Sequence, residues 1–79
     1  MKVKVLAFGI AKDIFGAGAI DVELNNNTTA DLKASLEKSY PKLKKLVSYM
    51  VAVNNEYADD KTLIIATDEI AVIPPVSGG

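Results

Sequence analysis

The sequence predicts an α+β fold in which a mixed sheet of four to five strands carries one main helix packed on one face. Residues 2–9 and 19–25 alternate apolar and polar side chains with the period of two that half-buried strands show. Residues 28–40 instead repeat apolar side chains every four positions, as an amphipathic helix does. Residues 50–54 and 69–73 return to short strand-like runs, so a helix should pack on a sheet built from both halves of the chain.

The first predicted strand has two different faces. Its alternation separates an inner set, Val3, Val5 and Ala7, from an outer set, Lys2, Lys4, Leu6 and Phe8. The lysines mark the outer face as the solvent side, so Leu6 and Phe8 should also project outward. An outward pair of large apolar side chains either belongs to a partner surface or is covered by a neighbouring loop.

A helical turn is expected between the first two strands. Residues 10–18 form this turn, and Gly16 and Gly18 close it. Residues 19–25 should then pair with the first strand as a hairpin. Asn25–Asn27 follow as a turn, because Asn tolerates unusual backbone angles.

The main helix is predicted from its cap and its apolar stripe. Thr28 or Thr29 can cap its start, and the helix dipole favours Asp31 in the first turn. Pro41 discourages helical geometry in the residue before it, so the helix should end there, and 41–47 should form a second short turn. The stripe consists of Leu32, Leu36 and Tyr40.

The second half of the chain is expected to complete the sheet. Residues 50–54 form the third strand, which a turn at Asn54-Asn55 ends. Residues 61–66 are apolar enough to be buried as a strand or a short helix. Residues 69–73 form the last strand, with Ile70 and Val72 on one face and Ala71 and Ile73 on the other.

Length and composition limit the class of protein. With 79 residues, the chain is expected to form a single domain, 1–79. Nine lysines are spread among ten acids and arginine is absent, which disfavours nucleic-acid binding. No apolar run approaches the length of a membrane span and no secretory signal precedes the first strand, so we expect a cytoplasmic protein that binds no membrane.

Two residue types that are common in catalytic sites are missing. The chain has no cysteine and no histidine, so it lacks a thiol nucleophile, a thiolate metal site and the commonest general base. Acid pairs occur at Asp59-Asp60 and Asp68-Glu69, but both lie in polar stretches typical of solvated turns. Gly16-Ala17-Gly18 lacks the spacing and the lysine of a phosphate-binding loop. We therefore expect no bound metal or cofactor.

The last six residues, 74–79, form a tail of unusual composition. Pro74 and Pro75 directly follow the last strand and remove two ladder donors, so they should direct the tail away from the sheet. Gly78 and Gly79 have no Cβ and can enter a passage too narrow for other residues. A stiff spacer that ends in an unhindered carboxyl suits insertion into a partner's pocket, although frayed termini are also often rich in glycine.

Four segments together form a family pattern: Val3–Phe8, Lys12-Asp13 followed by Gly16, Val51–Asn54, and the ending DEIAVIPPVSGG over 68–79. Because of these segments, the chain resembles, over nearly its whole length, the small subunits of molybdopterin synthase, which are ubiquitin-like (β-grasp) sulfur carriers. The ending is its most specific part. The chain departs from the family at Lys12-Asp13, where arginine and glutamate are usual, and at Thr67, where glycine is common. The resemblance implies a β-grasp fold with a flexible Gly-Gly tail.

The resemblance also implies a role in molybdenum cofactor biosynthesis. An adenylating enzyme similar to those that activate ubiquitin would use ATP to form an acyl-adenylate on Gly79. A sulfur source such as a cysteine desulfurase or a rhodanese would then yield a C-terminal thiocarboxylate. The large catalytic subunit would use that sulfur to build the dithiolene of molybdopterin from cyclic pyranopterin monophosphate. The carrier alone would not be an enzyme.

Partner contacts are implied on the outer face of the sheet. The family's apolar interface positions correspond to Phe8, Tyr57 and Ile73, and Leu6 lies on the same face by alternation. Exposed aromatic anchors are typical interface hot spots. The tail would enter the large subunit and supplies the remaining predicted contacts: Pro74, Pro75, Val76, Ser77 and Gly78, beside the reactive Gly79.

Other functions share the Gly-Gly ending. A carrier for thiamine thiazole synthesis or for tRNA thiolation has the same chemistry, but the double proline is unusual in the thiamine carriers. A ubiquitin-like protein modifier would instead form isopeptide bonds through Gly79. A plain binding module would have an inert tail.

Overall fold

Five strands form one mixed sheet in the order β2-β1-β5-β3-β4. The computed structural model describes residues 1–46 and 48–74. Along the chain, the elements are β1 (Lys2–Ala7), α1 (Ile10–Phe15), β2 (Ala19–Glu23), α2 (Thr29–Ser39), a 3₁₀ helix (Pro41–Lys45), β3 (Met50–Val53), β4 (Glu56–Tyr57) and β5 (Ile70–Ile73). The predicted α+β architecture, with a mixed sheet and one main helix, is confirmed. Within the described ranges, no helix is both long and apolar enough to cross a bilayer.

Strand β1 lies in the interior of the sheet. It pairs antiparallel with β2, as the predicted hairpin requires, and parallel with β5. Strand β5 also pairs antiparallel with β3. The first and last strands of the chain, β1 and β5, are therefore neighbours in the middle of the sheet. The parallel pairing of β1 with the last strand is the feature that makes the sheet mixed.

The core lies between the helices and the inner face of the sheet. Val3, Val5 and Ala7 are buried, as the alternation predicts, and α2 covers them with the fully buried Leu32 and Leu36. A close-packed interior of this kind supplies most of the stability of a small domain. The other buried members of this cluster are Ala11, Phe15, Leu24, Leu43, Val51, Ile64, Ile70 and Val72.

Helix α2 begins and ends as its sequence predicts. The Thr28 hydroxyl accepts a hydrogen bond from the backbone N–H of Asp31 (3.2 Å), which is an N-cap. The Asp31 carboxylate accepts bonds from the N–H groups of Asn25 and Asn26, so it holds the preceding turn against the helix. At the other end the helix stops before Tyr40, whose ring packs on Phe15 with 4.8 Å between centroids.

The prediction of a strand or short helix over 61–66 is wrong. This segment belongs to the connection from β4 to β5, and its backbone bonds go to the start of α2: the N–H of Ile64 donates to the carbonyl of Asn27 (2.7 Å). Only Ile64 of its apolar residues is buried, whereas Leu63 and Ile65 are 71% and 59% exposed. The additional strand is instead Glu56–Tyr57.

Candidate functional site

The outer face of the sheet carries a continuous apolar row across four strands. The register places Leu6 of β1 beside Ala71 of β5, Ala71 beside Ala52 of β3, and Ala52 beside Tyr57 of β4. Cross-strand neighbours on one face have Cβ atoms about 5 Å apart, so the four side chains form one surface. The two alanines make a shallow floor between the larger side chains of Leu6 and Tyr57.

A second row lies next to the first, on the side where β5 ends. Met50 is paired with Ile73 in the register, and Phe8 follows directly after the end of β1. Phe8 is 51% exposed, Tyr57 68% and Met50 45%. Three large apolar side chains exposed on one face form a patch of the kind that is common at protein–protein contacts. We call the two rows together the outer-face patch (Leu6, Phe8, Met50, Ala52, Tyr57, Ala71 and Ile73).

The patch surrounds a depression of about 300 Å³. Its lining is mostly apolar, with Asn55 and Glu69 at the polar rim, which is the usual anatomy of a protein interface. The other lining residues are Leu6, Phe8, Ala52, Tyr57, Ala71 and Ile73.

A two-residue turn positions Tyr57 beside the depression. Asn54 and Asn55 both have positive φ angles, 53° and 69°, as a type I′ hairpin turn requires. The Asn54 side chain fixes this turn: its amide donates to the Asp68 carboxylate (2.9 Å), and its carbonyl accepts from the N–H of Glu69 (2.9 Å). The predicted turn at Asn54-Asn55 is confirmed, and it gives β4 its position.

Gly9 determines where the chain leaves the sheet after β5. Its φ of +56° lies in the left-handed region, and a Cβ at this position would lie 3.2 Å from Cγ of Pro74. Glycine is therefore favoured here by conformation and by close approach. Pro74, half-buried against Gly9, is the point from which the predicted tail departs next to Phe8.

The predicted acid pairs lie in turns, where Asp59 and Asp68 accept local hydrogen bonds. The Asp59 carboxylate accepts hydrogen bonds from the N–H of Lys61 and the hydroxyl of Thr62, and Asp68 accepts one from the N–H of Ile65. Residues 1–46 and 48–74 contain no group of three or more acidic, histidine or cysteine side chains that could hold a metal ion.

Within the described residues, two ionisable groups have shifted pKa values, and both groups lie away from the patch. Partial burial and a hydrogen bond to Glu37 raise the pKa of Tyr49 on the helix side of the sheet. A hydrogen bond and the charge of the N-terminal ammonium lower the pKa of Glu23 at the edge of the sheet. Neither group is placed to act on a ligand of the outer face.

The structure brings together the predicted contact residues of the sheet. Leu6, Phe8, Tyr57 and Ile73 share the outer-face patch, and Pro74 adjoins it. Sequence reasoning missed Met50 and Ala52, although the alternation of the third strand would have placed both outward. The predicted tail residues Pro75, Val76, Ser77, Gly78 and Gly79 lie outside the described residues.

Comparison with known proteins gives consistent matches across the chain. Residues 5–79 match the ThiS family. The chain is 38% identical to the molybdopterin synthase sulfur carrier subunit of Dictyostelium discoideum, and the match covers 96% of this chain and 94% of that protein.

Two solved structures share the fold over almost the full chain. One is the small archaeal modifier protein 1 of Methanosarcina acetivorans, with a TM-score of 0.81, 27% identity and coverage of 99% of this chain and 96% of that one. The other belongs to the complex of subunits 1 and 2 of molybdopterin-converting factor from Helicobacter pylori, with a TM-score of 0.71, 28% identity and full coverage of both chains.

Proposed function

The chain belongs to the ThiS family, and from that premise we propose that it is a sulfur carrier of molybdenum cofactor biosynthesis whose reactive group is the carboxyl of Gly79. The observation that carries this proposal is the near-complete match to a molybdopterin synthase sulfur carrier subunit. The resemblance predicted from the opening strand and the ending of the chain is thereby confirmed, and so is the β-grasp fold.

The proposed chemistry takes place on the tail. A carboxylate is a poor electrophile, so an adenylating partner first joins the Gly79 carboxylate to the α-phosphate of ATP and releases pyrophosphate. A persulfide supplied by a desulfurase or a rhodanese then displaces AMP from the acyl carbon, and reduction of the resulting disulfide by a thiol leaves the thiocarboxylate. The thiocarboxylate sulfur is then the nucleophile that the large subunit directs at cyclic pyranopterin monophosphate.

The outer-face patch is the proposed docking surface for the large subunit. Its exposed aromatic and aliphatic side chains surround a floor of alanines, which can accept the side chains of a partner without repacking. Pro74 adjoins the patch, so a partner bound there receives the tail at its own surface. The related structure from Helicobacter pylori is a complex of subunits 1 and 2 of molybdopterin-converting factor.

Catalytic groups would come from the partners. The chain contains no histidine or cysteine to act as base or nucleophile. A surface without such groups fits a substrate-bearing subunit better than an enzyme.

Intact mass spectrometry of the protein purified from its native host tests the proposal. We expect a fraction of molecules whose mass increase corresponds to one oxygen replaced by sulfur, located by fragmentation at Gly79. A variant with Gly79 deleted should show no such species. Finding only the carboxylate after incubation with the adenylating enzyme, ATP and a sulfur donor would contradict the carrier role.

The likeness to the small archaeal modifier protein supports a second candidate, protein modification through the same carboxyl. An isopeptide bond would link Gly79 to a lysine of another protein. Native extracts would then contain higher-mass conjugates that disappear when Gly79 is deleted. Their absence, together with a detectable thiocarboxylate, would leave sulfur transfer as the function.

A further inference from the structure

Strand β2 forms one open edge of the sheet. It stands first in the strand order, and within the described residues its only strand partner is β1. An edge strand presents backbone groups that can pair with another chain. The backbone groups on the open side of β2 are therefore candidates for pairing with another chain.

The hydrogen-bond pattern between β1 and β2 shows which backbone groups of β2 face away from β1. The N–H of Leu24 donates to the carbonyl of Met1 (2.7 Å), and the N–H of Ala7 donates to the carbonyl of Gly18 (2.9 Å). Hydrogen-bonded pairs alternate along an antiparallel ladder, so the backbone groups of Ile20 and Val22 point toward β1. Those of the intervening residues, Ala19, Asp21 and Glu23, point to the open side.

These outward groups have no internal partner in the described part of the chain. None of the N–H groups of Ala19, Asp21 and Glu23 donates a hydrogen bond there, and all three residues are exposed. Three N–H and three C=O groups at alternate positions can therefore accept a further strand.

A groove runs beside this edge, between β2 and α2, with a volume of about 350 Å³. Ser35 and Ser39 lie one turn apart on α2, and their small side chains leave space next to the half-buried Val22. The apolar surfaces of Leu36 and Tyr40 also line the groove. An added strand would place alternate side chains in it. The remaining lining residues are Asp21, Glu23 and Lys38.

We infer that the β2 edge and this groove form a strand-addition site for an extended segment of a partner protein in which lysine or arginine alternates with small apolar residues. Strand β1 shows what β2 accepts: the register sets Lys2 opposite Glu23 and Lys4 opposite Asp21, with Val3 and Val5 facing the core between them. A strand on the open side meets the same two carboxylates as its direct neighbours, and of these the Glu23 carboxylate also forms an ion pair with the N-terminal ammonium (2.8 Å). The lysines of β1 stand two strand spacings away, about 10 Å, and are largely screened.

A second copy of this chain is a poor occupant of the site. Pairing two β2 strands antiparallel over their full length sets Asp21 opposite Asp21, and like charges directly opposite destabilise a sheet. The edge thus disfavours self-association and accepts a segment of opposite charge.

The strand-addition site is separate from the outer-face patch. Strand β2 lies at the opposite edge of the sheet from β4, which carries Tyr57. A partner segment on β2 and a partner on the patch can therefore be bound together. This inference stands whether or not the chain carries sulfur.

Amide exchange measured by NMR on the full chain tests the site. The probe is a blocked hexapeptide of alternating lysine and valine, added to the ¹⁵N-labelled protein. At saturation we expect hydrogen exchange to slow by about tenfold or more at the amides of Ala19, Asp21 and Glu23. The amides of Ile20 and Val22, already bonded to β1, should change little. Uniform protection, or none, would overturn the proposal.

A peptide of alternating glutamate and valine is the matched control. It replaces two attractive cross-strand pairs with repulsive ones, so its binding should be weaker by about tenfold or more. Equal binding of both peptides, or binding of the lysine peptide that is insensitive to salt, would contradict the charge argument. A dimer that the lysine peptide dissociates would show that a second copy is the occupant instead.

Two variants locate the binding. Asp21→Pro removes one outward N–H without removing a bond to β1, and Ser39→Phe fills the groove from an exposed position on α2. In each variant, the lysine peptide should no longer slow hydrogen exchange at the outward amides of β2. If the proline variant does not fold, Ser39→Phe alone tests the site. Asp21→Asn retains the N–H and should weaken binding by only about threefold. Undiminished binding by a folded Ser39→Phe protein would overturn the proposal.

Discussion

The two faces of the same strands differ sharply in how they use their side chains. On the inner face, Val5, Val51 and Val72 are at most 1% exposed beneath the helices. On the outer face, the neighbouring positions hold a floor of alanines with Phe8 and Tyr57 exposed above it. Because successive residues of a strand point to opposite faces, both surfaces come from the same short segments. The comparison indicates that the inner face stabilises the fold, whereas the outer face leaves large apolar side chains available for contact with a partner.

Removing a side chain from the inner layer should have the largest effect on stability. Leu32→Ala leaves a cavity at a fully buried position of α2 and should lower the free energy of unfolding by about 2–5 kcal/mol. Urea denaturation measures this loss. The molecules that remain folded should bind the large subunit with unchanged affinity, and a loss of intrinsic affinity would break the separation of the two faces.

On the outer face, Phe8→Lys should affect binding rather than stability. It places a charge in the outer-face patch and should weaken binding of the large subunit by about tenfold or more. The free energy of unfolding should change by no more than about 0.5 kcal/mol, because Phe8 is half-exposed. Calorimetry of binding and urea denaturation measure the two effects.

Leu63→Lys is the matched control for this prediction. Leu63 is also a large, exposed apolar residue, but it lies in the connection from β4 to β5, where it bridges to Thr28. Its replacement by lysine should leave binding unchanged. Equal losses for the two variants would show that general hydrophobicity, and not the outer-face patch, drives association.

The smallest effect on stability is expected at Glu23 on the β2 edge of the sheet, which belongs to neither the inner nor the outer face. The N-terminal ammonium, 2.8 Å from the Glu23 carboxylate, lowers the pKa of Glu23 below its ordinary value of 4.5. A lowered pKa contributes stability above pH 4.5 that is lost as the pH falls through the folded-state pKa. Glu23→Gln should therefore melt slightly below the original protein at pH 7, and the difference should shrink as the pH falls through the folded-state pKa of Glu23.

High salt provides the check on this pH effect. The Glu23 side chain is 67% exposed, so screening should reduce the difference at pH 7. A difference in melting temperature that does not shrink as the pH is lowered below 4.5, or that salt leaves unchanged, would assign the effect of the substitution to something other than the ion pair.

The sequence predicted the faces of the strands better than the path of the second half of the chain. Once β1 is granted, the period of two fixes Val3 and Val5 inward and Phe8 outward, and no tertiary information is needed. Strand β4 has only two residues, which is too short to show a period. Its position depends on the turn at Asn54-Asn55. The side chain of Asn54 donates a hydrogen bond to Asp68, which lies 14 residues further along the chain.

The error over 61–66 has a similar origin. Its apolar residues suggested burial, but the start of α2 takes its backbone hydrogen bonds, and only Ile64 enters the core. Composition cannot reveal which element will supply the partners of a buried backbone segment. Leu6, Tyr57 and Ile73 were predicted for the outer face, whereas Met50 was missed, although the alternation of the third strand places Met50 on that face and the register sets it beside Ile73.

The contact between Gly9 and Pro74 has a consequence for reaction rates. Because Pro74 is held against the body of the domain, the residues that follow start from a fixed point beside Phe8, and 74–79 can span at most about 20 Å. In the proposed function, a partner that has already bound the domain captures the Gly79 carboxyl in an intramolecular event, governed by an effective concentration in the millimolar range. A lengthened tail would dilute the carboxyl in a larger volume, so turnover would fall even though every contact of the folded body remained.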